Sequence, residues 1–317
     1  MNAFITKKQA VRWRPIRYSV VFKAAFTALF IATVAMLSPS NAVAKPEIRW
    51  LTWDFEPDFV QSGEYQGKGY GDKLLSKLQA LLPEYTHTQR IVNSKRWAVE
   101  AQQPNTCSSL LWLGFLPGKI VYSKPYGMTP PYVVVVHEKK AHLIGKPEDK
   151  ISLVELLKRP NLTLGVLPVY MDKDQKNTRY PILHSYLKPY LNTSKMKEFG
   201  GGANQLNLSL LDANRVDYLI ENPLTAPTSA KLNSEKNHFI NYPLKEHGIY
   251  KEIAVACTND AFGRKVISKL DPYITLEFIK EFLAYMEEWN EKNAAFRNAV
   301  LQHFQAKSIV DNTTNKQ

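Results

Sequence analysis

The side chains able to do chemistry in this 317-residue chain are spread thinly, and their neighbours decide which are worth following. Trp53, Asp54, Phe55 and Glu56 stand at the end of the stretch Ile48 to Trp53, which mixes aromatic, β-branched and polar residues. They set two acids among aromatic rings at a strand end, where α/β folds collect ligand contacts. Asp54, Glu56 and Glu221 are the acids that would serve as a general acid or base. Tyr70 and Tyr170 are candidate aromatic contacts. Gly200 to Asn204 precedes a helical pattern whose free N–H groups could hold an anion or a polar ligand group, or it is simply a flexible loop. The seven histidines are scattered and form no nucleophile–base signature. Neither His-Glu-x-x-His nor paired Cys-x-x-Cys occurs, so nothing supports a metal site or a bound cofactor.

The elements that must position these groups alternate between strand and helix. Ile48 to Trp53 reads as a strand that stops at Asp54 and Pro57 and feeds a loop. After the glycine-rich Gly67 to Gly71, Asp72 to Leu82 sets leucines at helical spacing, with Asp72 placed to cap. Tyr132 to Val136 and Ile253 to Ala256 read as buried strands. Between them lies a smaller αβ pattern: helix at Ile151 to Leu157, strand at Leu162 to Leu167, helix at Gln205 to Leu211, strand at Val216 to Ile220. Leu270 to Phe304 carries apolar residues at helical intervals, consistent with helices covering the first lobe. The expectation is an α/β protein of two lobes joined by two crossings, with a cleft between them. Residues 45–137 and 250–317 would form lobe 1, and 138–249 would form lobe 2, inserted in it.

The first 44 residues have the three parts of a secretory signal: six basic residues from Lys7 to Lys23, an apolar run from Ala24 to Leu37, and small residues at Ala42-Val43-Ala44. Cleavage after Ala44 would release the chain into the periplasm. The whole chain has 41 basic and 29 acidic residues; removing the six signal cations leaves 35 against 29, a net +6. Those charges are scattered, which suits a solvated surface and argues against a nucleic-acid partner. Cys107 and Cys257 would then lie in an oxidising space, where a disulfide or two separate buried thiols are the alternatives.

Several phrases resemble the extracellular solute-binding proteins of the polar amino-acid type, the periplasmic components of ABC importers. Asp54-Phe55-Glu56-Pro57 is similar to that family's opening aromatic-proline loop, and Gly67 to Leu75 to its entry into the first helix. Tyr122-Ser123-Lys124-Pro125-Tyr126 resembles its "FSxPY" phrase, and Asn214 to Tyr218 its "GRxD" phrase. The resemblance covers residues 47 to 305 and rests on the order and spacing of these phrases. It implies a type II periplasmic-binding-protein fold, a monomer that closes on its hinge around a small solute, and an ABC permease or membrane sensor as partner. It also places Cys107 and Cys257 within bonding reach in the first lobe.

The same resemblance exposes a departure. The family's threonine and carboxylate-binding arginine would fall at Leu113 and Leu116, and its ammonium-binding acid at Asn222 or near Glu221. Nothing ionisable lies between Cys107 and Lys119. Leaving a ligand's charge without a partner is costly, so a standard zwitterionic amino acid is not the expected solute, unless Lys119 or Glu221 substitutes. The apolar run Leu110 to Leu116 is instead a ligand wall, a partner-docking surface or core packing. The expected ligand contacts are Trp53, Asp54, Phe55, Tyr70, Ser109, Leu111, Trp112, Tyr170, Asn204 and Asn222. A binding protein without catalysis is the leading expectation. Lyase-type chemistry on the same scaffold and an envelope protein-interaction module are the alternatives.

Overall fold

The computed structural model describes residues 44–53, 55–170, 174–175, 178–199, 208–232, 237–246, 251–289 and 294–314. The expected signal segment up to Val43, and the candidates Asp54 and Asn204, lie outside the described residues. In chain order the strands are β1 (Glu47–Thr52), β2 (Thr86–Ile91), β3 (Thr106–Trp112), β4 (Ile120–Tyr122), β5 (Gly127–Thr129) and β6 (Val133–His137). There follow β7 (Leu164–Val166), β8 (Met196–Glu198), β9 (Tyr218–Glu221), β10 (Phe239–Pro243) and β11 (Lys251–Thr258). They form two sheets. One runs β2-β1-β3-β11-β4 with β5 also paired to β11, and the other runs β10-β6-β9-β7-β8.

The apolar stretch that begins at Cys107 is a central strand. β3 lies between β1, to which it is parallel, and β11, to which it is antiparallel, and all but its last residue are buried. A strand covered on both faces favours apolar residues at successive positions, as at Leu110, Leu111 and Trp112, while Thr106, Ser108 and Ser109 are its buried polar residues. Leu110 packs with Ile48, Trp50 and Leu74 in the main core of this lobe. Leu111 and Leu116 join Leu51, Val92 and Trp97 in a smaller cluster on the other face. Cys107 and Cys257 sit directly opposite each other on β3 and β11, and a disulfide joins them with Cα atoms 4.0 Å apart.

Val133–His137 ends the first lobe in the sequence reading but belongs to the second sheet, between β10 and β9. Its four valines announce burial and carry no information about which sheet they enter. The chain therefore crosses between lobes at Pro130 to Tyr132, directly after β5, and returns between β10 and β11.

The first helix, α1, spans Tyr70–Ala80, two residues earlier than the leucine spacing implies. Gly69 occupies the capping position, and Asp72, in the first turn, accepts from the backbone N–H of Gly69 and of Val60, both at 3.0 Å. The first free N–H groups of α1 donate to the chain that precedes it, Tyr70 to the Pro57 carbonyl at 3.0 Å and Gly71 to the Asp58 carbonyl at 2.7 Å. A Cβ at Gly69 or Gly71 would lie 2.5 Å from the Asp58 carbonyl oxygen, so the glycines let the 55–60 loop press onto the helix end. Helix Leu276–Glu287 buries Phe278, Phe282, Leu283 and Met286 against the first lobe. No helix among the described residues is long and apolar enough to cross a membrane.

Candidate ligand cleft

A cavity of about 400 Å³ lies between the two sheets, lined from both. That volume suits a small molecule. Its apolar side is a chain of rings that begins in the first lobe and ends in the second. Trp97 meets Phe115 at 6.1 Å between centroids, Phe115 meets Trp112 at 5.9 Å, Trp112 meets Tyr132 at 6.1 Å, and Tyr132 meets Tyr180 at 5.6 Å. Trp112, the last residue of β3, is fixed by its indole N–H, which donates to Thr129 Oγ1 at 2.6 Å. Tyr132 lies in the outgoing crossing, so the ring chain runs through the hinge itself.

The charged residues lining the cavity, among those described, are Asp58, Arg179 and Glu221. Asp58 is held by the backbone bonds that tie its loop to α1. Its carboxylate accepts from the Trp53 indole at 2.9 Å and from the Tyr70 hydroxyl. Burial pushes the Asp58 carboxyl up to about 6; the Tyr70 and Trp53 donors oppose the rise and the Asp72 charge adds to it. Glu221 closes β9 and is 4% exposed. Its Oε2 accepts from the Asn222 N–H at 3.2 Å and from Thr225 Oγ1 at 3.3 Å. Burial raises its carboxyl to about 7 against those two donors and the positive charge of Arg179. Arg179 has a buried Nε with no hydrogen-bond partner, and its backbone N–H donates to the Val169 carbonyl at 2.8 Å. The next residue, Tyr180, accepts from the Leu167 N–H at 3.1 Å, which pins this segment to the end of β7.

Of the residues expected from sequence, Trp53, Phe55, Tyr70, Leu111, Trp112 and Asn222 line the cavity. Ser109 is buried inside β3 at 1% exposure, and Tyr170 bonds His184 at 3.0 Å; neither is part of the lining. Leu116, at the family's arginine position, is turned into the small cluster behind the wall by a backbone φ of 45°. Lys119 is exposed and does not line the cavity. Sequence reasoning passed over Asp58, Trp97, Arg179, Tyr132 and Tyr180 as ligand contacts. Trp97 is structural as well, since its indole donates to Ser108 Oγ at 3.2 Å while it lines the cavity. Asp58 stood one residue past the Glu56-Pro57 pair already singled out, whereas Arg179 carries no local signal at all.

Two sheets, two crossings and a lined cavity between them define the type II fold of periplasmic binding proteins. The chain is similar to the substrate-binding protein of an amino-acid ABC transporter, with 15% identity, a TM-score of 0.55, and 78% of this chain and 100% of that one covered. It is similar to an amino-acid ABC-transporter substrate-binding protein of Streptococcus pneumoniae bound to L-arginine, with 16% identity, a TM-score of 0.54, and 81% and 97% covered. It also resembles the periplasmic VFT2 domain of Bordetella pertussis BvgS, with 13% identity, a TM-score of 0.52, and 84% and 98% covered. Neither a protein-family model nor a curated protein sequence matches the chain.

Proposed function

We propose that this chain is a periplasmic solute-binding protein, released by cleavage after Ala44, that captures a small solute with an apolar or aromatic body for an ABC importer or a membrane sensor. The observation that carries the reading is the ring-walled cavity between the lobes, spanning the hinge through Trp112, Tyr132 and Tyr180. A ligand that bridges this wall makes contacts with both lobes at once, and such differential contact is what drives hinge closure. Leu116 and Asn222 stand where the resemblance puts the two charge anchors of an amino-acid site, so a zwitterionic amino acid would have to be held by Arg179 and by Glu221 or Asp58, which line the cavity from other positions. The fold neighbours are binding proteins, which supports capture without turnover.

Burying a ring against Trp112 is worth about 1.5–3 kcal/mol, so Trp112→Ala should weaken binding roughly tenfold to a hundredfold. Lys119→Ala should leave binding unchanged, because Lys119 points to solvent. Calorimetric titration of both variants with amino acids, aromatic solutes and acyl solutes tests this. Tight binding of a zwitterionic amino acid, abolished by Lys119→Ala, would refute it.

A further inference from the structure

The lobes also meet outside the two crossings. Helix Thr225–Leu232 follows Asn222 and belongs by chain order to the second lobe, in whose core Ala226 is buried. Leu224, just before that helix, is instead buried in the main core of the first lobe, and Leu232, its last residue, packs against the same core. Lys231 carries the contact further, to the end of helix Leu276–Glu287. Its ammonium donates to the Glu288 carbonyl at 2.6 Å and sits 4.6 Å from the centre of the Trp289 ring and 5.4 Å from that of Tyr65. Glu288 closes the first-lobe helix, so this carbonyl is one that the helix leaves unpaired, at the negative end of its dipole. Ring faces add their own attraction for a cation. The seat is held from several sides. Trp289 is buried, its indole donates to the Lys68 carbonyl at 3.1 Å, its ring meets Tyr65 at 5.4 Å, and the Glu288 carboxylate pairs with Lys73 of α1. Tyr65 has a second cation over its ring, Lys68 at 5.7 Å, which makes Trp289 and the carbonyl the main partners of Lys231.

We infer that Lys231 is a latch between the lobes, holding them together on Glu288 and Trp289 without help from any solute. Tyr65 stands in the loop that also gives Phe55 and Asp58 to the cavity, and Lys231 stands in the stretch that leaves it at Glu221 and Asn222. The contact therefore lies where the cavity-lining segments of the two lobes run outward, and parting the lobes there draws the ammonium off its seat. The same movement pulls Leu224 and Leu232 from the first-lobe core, so opening exposes apolar surface as well as a helix-end carbonyl. The resting molecule is closed, and opening is the excursion. This goes beyond the solute-binding reading: it concerns the lobes themselves and holds whatever the cavity takes.

Small-angle X-ray scattering tests it on the mature chain, unfolded in guanidinium and refolded with its disulfide intact so that any bound solute is removed. The wild type should scatter as the lobes stand here, with a radius of gyration of roughly 18 Å for a compact chain of this size. Lys231→Met keeps an apolar stem and loses the charge; its radius should rise by about 1 Å, with the far-ultraviolet circular dichroism unchanged. Lys231→Arg keeps a cation for the ring and the carbonyl and should restore the wild-type curve. Acetylation of the unaltered protein gives a reading that needs no variant: a lysine off its seat no more than a tenth of the time should react about tenfold more slowly than the exposed Lys119. Equal radii for the wild type and Lys231→Met overturn the inference, because Lys231 would then be a fixed contact that does not govern opening. Expansion of both variants alike, a wild type that is already open, or equal acetylation of Lys231 and Lys119 also overturns it. Solute capture is decided separately, by the Trp112→Ala titration.

Discussion

Glu221→Gln is the substitution that most directly tests the electrostatics of the cleft. Burial raises the Glu221 carboxyl from 4.5 to about 7, so the folded chain holds a proton that the unfolded chain releases between those values. With more protons bound in the folded state, stability falls as pH rises through this window and levels off above pH 7. At about 1.4 kcal/mol per unit, the loss is on the order of 3 kcal/mol at pH 8 relative to pH 4.5. Both hydrogen bonds to Glu221 end on the same oxygen, Oε2, so a glutamine carbonyl can accept them with no change of shape. The variant should match the wild type at pH 4.5 and exceed it at pH 8 by an amount approaching that figure. Asp58 also loses stability with rising pH, between 3.8 and about 6, but it is present in both proteins and cancels in the difference. Urea unfolding of the ligand-free proteins at the two pH values measures the effect. A Gln variant no more stable than wild type at pH 8 would show that Glu221 is not held in an unfavourable charged state.

The Cys107–Cys257 bridge closes a span of 150 residues, and the loop-entropy model gives it about 5 kcal/mol of stability as an upper figure. Urea unfolding with and without reductant should show a loss of that order, and coincident curves would refute the estimate. Exported protein should begin at Lys45, read by intact mass, and material retaining the first 44 residues would contradict the cleavage after Ala44.

Sequence pattern carried the fold further than it carried the site. The leucines of α1 and the helical spacing beyond Leu270 are local signals of burial, and each formed helix where its pattern placed it, within a few residues. Membership of β6 in the second sheet depends on its pairing with β10, about a hundred residues later, and no local pattern encodes that. The site follows the same division. Trp53, Phe55 and Trp112 were legible because they stand at strand ends, where ligands are met. Asp58 enters the cavity only because its loop folds back onto the N-terminus of α1, a tertiary contact that glycines permit without announcing. Arg179 reaches it from a segment with no helix, strand or motif of its own. At the end of β9 the choice between Glu221 and Asn222 was one of position along a single strand. Both line the cavity, and the acid is the more deeply buried.

The disulfide also fixes how the molecule would respond to a cut. Cys107 and Cys257 turn everything between them into a covalent ring, and that ring contains every strand of the second sheet and both crossings. A single cleavage anywhere in the second lobe opens the ring and divides the chain without dividing the molecule. The two pieces stay joined at β3 and β11, beside each other in the first sheet, and separate only when the bridge is reduced. A protease can therefore sever one of the two connections between the lobes while the second lobe remains attached to the first by the other connection, and the two chain ends it creates remain parts of one molecule.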